Sequence, residues 1–401
     1  MRLTHSLHAL AAGALLFAAF QAKADAGPIR IGLTCPFTGG SAPMGESLRN
    51  AARMAVEEIN WKGGVLGRPI ELVERDDEAN ADKGRAHAQE LIEKVKVAAT
   101  IGSCNTGVVL KTLDLYQKAK VPLIVPVATG VAITTTYAKE PEHYIFRTSA
   151  NDQIQAQLVA KEAVERRKLK RVAVLHDTTP YGQQGMEFLV KALATHNVKP
   201  VAVEGFPLGV QDLAPALERA RKAGAEALLT YTVGPELAVI AKGRARLGWK
   251  APMIGSWPLS WTNFLNAAQG NAEGARMPQT FIEEPTTSRR TEFITTYLTQ
   301  YKLKRMSSAV SAAQGYDAVL ILAAALRQAG TTDGAQLRAA LEDLRENVRG
   351  VVTTYERPFG KHDHEAISAS LVMMGEVKRG IITYAYKEDE KAAIVGRKRA
   401  N

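Results

Sequence analysis

The chain of 401 residues carries 51 Lys and Arg against 41 Asp and Glu, a formal net charge of +10, with 46% hydrophobic residues and two cysteines. The basic residues are scattered except for Gly396-Arg397-Lys398-Arg399, which argues against a nucleic-acid-binding face and for a surface with some attraction to small anions. Two cysteines without clustered histidine partners form no zinc pattern, so no metal or other cofactor is expected.

The N-terminus reads as a removable leader. Arg2 precedes the apolar run Leu7–Phe20, and Ala22-Lys23-Ala24 follows as an AxA-type cleavage site; the run is too short to span a bilayer. Export to the periplasm with cleavage near Ala24 is therefore expected, leaving about 375 residues, enough for two domains. No cysteine follows the site to carry a lipid, and no further run of ~18 apolar residues stands out, so a soluble mature chain is expected.

The apolar stretch Ile29–Thr34 reads as a strand running into a turn rich in Gly, Pro and Ser (Cys35–Gly45), followed by a helix over Glu46–Asn60. A second strand, Ile70–Glu74, ends in Arg75-Asp76-Asp77, and a helix over Asp82–Val95 follows. The stretch Ala98–Gly130 organises the rest. It predicts a short strand (Ala98–Gly102), a polar turn, an amphipathic helix (Val108–Ala119), and a strand (Pro122–Val127) closing on Ala128-Thr129-Gly130. In open parallel sheets ligands bind at the carboxyl ends of strands, where helix N-termini present unpaired N–H groups to an anion. Neither GxGxxG nor GxxxxGK[ST] occurs here, so the cradle is not one for a pyrophosphate or triphosphate.

This opening resembles the Leu/Ile/Val-binding protein family of periplasmic ABC-importer receptors. The residues that carry the resemblance are Thr38-Gly39-Gly40, Glu58-Ile59-Asn60, Gly63-Gly64 with Gly67-Arg68-Pro69, and Asp76-Asp77. It implies an α/β fold of two doubly wound parallel-sheet lobes joined by a three-segment hinge, the type I periplasmic-binding-protein fold. On that reading 25–147 with 278–355 form the first lobe and 148–277 with 356–390 the second, 1–24 being the leader and 391–401 a basic tail. In the sheet order 2-1-3-4-5, strands one and three are neighbours, so Cys35 and Cys104 either form a disulfide at the cleft rim or remain buried thiols.

After the strand around Tyr144–Ser149, Arg147 and Asp152 read as a structural ion pair beside the crossover rather than as ligand contacts. A second α/β series follows, with strands at Arg171–His176, Pro200–Glu204, Ala227–Thr232 and Pro252–Gly255. Helices over Arg289–Tyr301 and Ser308–Ala329 belong by resemblance to the first lobe. The segment near Val351–Pro358 is expected to cross a third time, with strands at Ile367–Met374 and Ile381–Tyr386 finishing the second lobe. His362-Asp363-His364 reads as a solvated hairpin, and no GxSxG elbow or Cys-His-acid arrangement points to an enzyme.

The resemblance also implies site residues. Thr106 and Thr129 stand at hydroxyl positions that hold a carboxylate, and Val127 at a backbone contact; Tyr181 is an aromatic wall from the second lobe. Family members that bind α-amino acids place a carboxylate, usually Glu, where this chain has Trp257. Met44 replaces an aromatic residue in the first turn, and Val233 another, with Tyr231 just before it. Two readings of the ligand stay open. One is a branched-chain or other hydrophobic amino acid, its ammonium held by backbone carbonyls, Trp257 and Glu236. The other is an aromatic carboxylate without an ammonium, which the missing counter-charge favours, since an unpaired buried ammonium costs several kcal/mol. A monomeric receptor serving permease and ATPase subunits in the inner membrane is expected; a ligand sensor of the same fold is the rival.

Overall fold

A computed structural model describes residues 27–395 and Lys398; the expected leader and the end of the basic tail lie outside the described residues. Five parallel strands, β1 (Ile29–Cys35), β2 (Ile70–Asp76), β3 (Ala99–Gly102), β4 (Leu123–Val125) and β5 (Ile145–Arg147), form a sheet in the order β2-β1-β3-β4-β5. Between them run α1 (Ala42–Trp61), α2 (Ala81–Glu90) and α3 (Thr106–Ala119). Every residue of β3 and β4 is buried, as expected when helices cover both faces of a parallel sheet.

The same winding repeats. After α4 (Asp152–Lys161) come β6 (Val172–Asp177), α5 (Pro180–Thr195), β7 (Ala202–Phe206), α6 (Ala214–Lys222), β8 (Ala227–Tyr231), α7 (Gly234–Arg246), β9 (Met253–Gly255), α8 (Thr262–Ala268) and β10 (Arg276–Gln279). The chain then returns to the first lobe as α9 (Ser288–Gln300), α10 (Ala309–Ala329) and α11 (Gly334–Glu342). The hairpin β11 (Val348–Arg349) and β12 (Thr354–Tyr355) follows, and β13 (Met373–Lys378) and β14 (Ile381–Tyr384) add two antiparallel strands to the second sheet. Its order is β14-β13-β10-β9-β8-β6-β7. By composition α10 is apolar enough to cross a bilayer, but 89% of the relevant stretch is buried inside the protein, where its apolar residues share one core with those of α1.

The third crossing falls later than the sequence predicts. Residues 351–355 stay on the first lobe because buried Asp317 of α10 accepts from Val351 N at 2.7 Å, Val352 N at 2.9 Å and Tyr355 Oη at 3.0 Å. Glu365 then docks on β5: Arg147 Nε donates to Glu365 Oε2 at 2.9 Å, and Ala366 N bonds Arg147 O at 2.8 Å. The crossing therefore lies between Ala366 and Met373, and the strand expected at Ile367–Met374 begins only at Met373. Arg147 is fully buried and pairs with Glu365 rather than Asp152. His364 is not solvated: it is buried and stacks between His143 (4.4 Å) and Phe146 (4.0 Å).

The two lobes touch across the cleft. Asn263 Nδ2 donates to Gly40 O at 2.9 Å. Gly40 and Gly107 each seat a proline of the other lobe, Pro235 and Pro180, where a Cβ would come within 3.2 and 3.3 Å of the ring. The structure is thus the closed arrangement, with the lobes' loops in van der Waals contact around an internal space.

Candidate functional site

That space is a cavity of about 250 Å³. The turns after β1, β2, β3 and β4 of the first lobe and after β6, β7, β8 and β9 of the second all line it. This is the crevice outside the carboxyl ends of parallel strands where such sheets bind ligands. A larger groove, about 770 Å³, lies on the first lobe, but helix faces and the β11–β12 hairpin line it rather than strand ends.

From the first lobe, β3 delivers Thr106 as the opening residue of α3, with Asn105 before it in extended conformation. Thr106 Oγ1 accepts a bond from Gly130 N at 3.3 Å, which leaves its own O–H to donate elsewhere. Val127, Ala128 and Thr129 contribute from the turn after β4, and Met44 from the first turn of α1. A disulfide between Cys35, at the end of β1, and Cys104 ties two of these turns together, with Cα atoms 5.2 Å apart.

From the second lobe, Tyr181 in the first turn of α5 donates to Ser256 Oγ at 2.6 Å; burial raises its phenol well above the ordinary value. Trp257 opens a short 3₁₀ turn, Trp257–Ser260, that ends against Trp261. The two indoles meet edge to face at 5.8 Å, a favoured aromatic geometry. Trp257 is fixed by its backbone: its N donates to Gln155 Oε1 at 3.2 Å and its O accepts from Gln279 Nε2 at 3.4 Å.

Six of the seven residues named from the sequence line this one cavity: Met44, Thr106, Val127, Thr129, Tyr181 and Trp257. Tyr231 does not. It is fully buried behind Tyr181, ring centroids 5.3 Å apart, with its hydroxyl donating to Asp152 Oδ1 at 3.1 Å. Glu236 is also outside the cavity lining; its Oε1 accepts from Gly209 N at 2.7 Å. Sequence reasoning missed Asn105, Trp261, Leu208, Ala79 and Ala81, all of them lining residues. Trp261 has a usable signal in the sequence, since a tight turn brings residues four apart together and Trp257 is a candidate residue. Trp261 Nε1 and Asn105 Oδ1 are buried without a protein partner, one donor and one acceptor at the cavity wall.

The electrostatics are one-sided. Among the described residues, none that lines the cavity carries a formal charge. Yet the first turns of α1, α3 and α5, and Val233 at the N-cap of α7, border it, so the positive ends of four helix dipoles converge there. Asp152 sits deeper, fully buried, and burial pushes its carboxyl up to about 6 against the opposing Thr129 hydroxyl, Arg147 charge and Tyr231 hydroxyl.

Two lobes of parallel strands closing on a neutral, dipole-rimmed cavity define a ligand-binding site. The chain belongs to the periplasmic binding protein family, whose profile matches residues 28–380. It is 28% identical over 347 residues to the leucine-, isoleucine-, valine-, threonine- and alanine-binding protein of Pseudomonas aeruginosa, covering 86% of this chain and 87% of that one. A type 1 periplasmic binding protein from Bordetella pertussis Tohama I superposes with a TM-score of 0.80 at 28% identity, covering 89% of this chain and 99% of the other. An ABC-transporter solute-binding protein of R. palustris, solved with 4-hydroxybenzoate, superposes with a TM-score of 0.76 at 21% identity, covering 89% and 95%. The family relatives are substrate-binding proteins, and the type I fold expected from the sequence is the one observed.

Proposed function

We propose that the protein is the solute receptor of an ABC importer and that its ligand is a small aromatic carboxylate lacking an ammonium group. The observation that carries this is the absence of any charged side chain among the described cavity-lining residues, beside four helix N-termini. Such a site stabilises an anion through dipoles and N–H groups and offers no counter-charge to an ammonium. The Thr106 hydroxyl and the backbone at Val127 and Thr129 hold the carboxylate, the Thr129 hydroxyl being directed at Asp152; Tyr181, Trp257, Trp261 and Met44 enclose the ring. Contacts from both lobes favour the closed form, which the permease discriminates from the open one. The volume, about 250 Å³, lies below the ~300–1,000 Å³ usual for drug-sized ligands and suits a small one.

The P. aeruginosa relative's name supports the second reading, a hydrophobic amino acid. On that reading the ammonium is left with neutral acceptors such as Asn105 Oδ1 and backbone carbonyls. A thermal-shift panel separates the two. The protein is unfolded and refolded without reductant to strip carried-over ligand, then tested with Leu, Ile, Val, Phe, benzoate and 4-hydroxybenzoate. A ligand at 100 times its Kd stabilises by ~2.7 kcal/mol. Shifts with the aromatic acids and none with the amino acids are expected; shifts confined to the amino acids would overturn the proposal.

A further inference from the structure

The cavity is not uniform along its length. The turns that line it come from four consecutive strands in each sheet, in the orders β2-β1-β3-β4 and β7-β6-β8-β9. Four strand ends at ~4.8 Å spacing span ~14 Å. At the hinge end stand Thr129 and Trp257, only 2% and 5% exposed. At the other end stand Ala79 and Ala81 after β2, and Leu208 after β7, which is 46% exposed although it lines the cavity. One end is thus dry and furnished with hydroxyls and indoles. The other is apolar, roomy on the first-lobe side because both residues there are alanines, and open to solvent.

A benzoate extends only about 5 Å from its carboxylate oxygens to the opposite ring carbon, reckoned from bond lengths of ~1.5 Å. Held by Thr106 and Thr129 it leaves the β2/β7 end unused. Leu208 is also one of few large apolar side chains left exposed in the described structure, and a ligand reaching it would cover it. We infer that the slot is built for an aromatic monocarboxylate extended by several heavy atoms opposite the carboxylate, with the extension lying along Ala79, Ala81 and Leu208 as an apolar outer subsite. This rests on the aromatic-carboxylate reading above and adds to it a length and a direction.

The test is calorimetric titration of the ligand-stripped full chain with benzoate, 4-ethoxybenzoate and 4-butoxybenzoate. In the wild type, Kd is expected to fall along the series by up to about fourfold per buried methylene. In Leu208→Ala the gain per methylene shrinks. In Ala81→Leu, which narrows the outer end, the butoxy acid binds more weakly than the ethoxy acid. If benzoate binds as tightly as the butoxy acid, or if the gain per methylene is the same in Leu208→Ala as in the wild type, the outer subsite is refuted while the carboxylate reading stands. Binding of leucine with no binding of any aromatic acid removes both together.

Discussion

Thr106→Val isolates one hydroxyl at the heart of the site. The substitution keeps the β-branched shape at the first position of α3, so helix propensity and packing change little. Because Gly130 N already donates to Thr106 Oγ1 at 3.3 Å, the hydroxyl proton is available to a ligand carboxylate. A hydrogen bond to a charged acceptor contributes about 1.5–3 kcal/mol, so its loss should weaken binding by about 10- to 150-fold. Valine also strands the Gly130 N–H, at a cost of about 1–3 kcal/mol. That cost is paid in both the free and the bound protein and largely cancels from Kd, but it lowers the melting temperature without ligand. Titration of benzoate followed by tryptophan fluorescence, with Thr106→Ser as the variant that retains the hydroxyl, gives the comparison. Serine within a few-fold of the wild type and valine at least tenfold weaker is the expected pattern. Valine binding within threefold of the wild type would refute the placement of the carboxylate at α3.

Two further predictions concern stability. The disulfide closes a loop between positions 69 apart in sequence, for which chain entropy gives about 4 kcal/mol; the double substitution Cys35→Ala, Cys104→Ala should lower the unfolding free energy in urea by about 2–4 kcal/mol, and a loss under ~1 kcal/mol would show that the cross-link matters little. Asp152, raised from 3.8 to about 6 chiefly by burial, binds its proton more tightly in the folded state, so its contribution favours folding at low pH and is lost as pH rises through about 6. Asp152→Asn does not titrate. Its stability relative to the wild type should therefore climb between pH 4 and pH 7, by up to ~3 kcal/mol, and a difference that is flat with pH would contradict the buried-acid assignment.

Much of the site could be read from residue order because the fold places it at strand ends. Thr106, Val127 and Thr129 each follow a recognisable apolar strand within a few residues, and helix N-termini after parallel strands point to one crevice. Tyr231 misled because it too ends a strand, β8. Only packing decides that its ring turns behind Tyr181 toward Asp152, 79 positions away in sequence. Leu208 and the two alanines carry no chemical signal at all; they matter through where β2 and β7 sit in the sheet order.

The sequence by itself determined the alternation of strands and helices and the chemical character of the turns, because these rest on short-range periodicity and turn residues; the two-lobed plan followed from its resemblance to a known family. The tertiary structure alone decided three things. It joined Cys35 to Cys104. It moved the third crossing to follow Glu365, because fully buried Arg147 takes that carboxylate from 218 residues away. It also gave the cavity a closed polar end and an open apolar one. Each depends on groups distant in the chain meeting in the folded interior, and for Arg147 and Glu365 an unpaired buried charge is costly enough to dictate the path of the backbone.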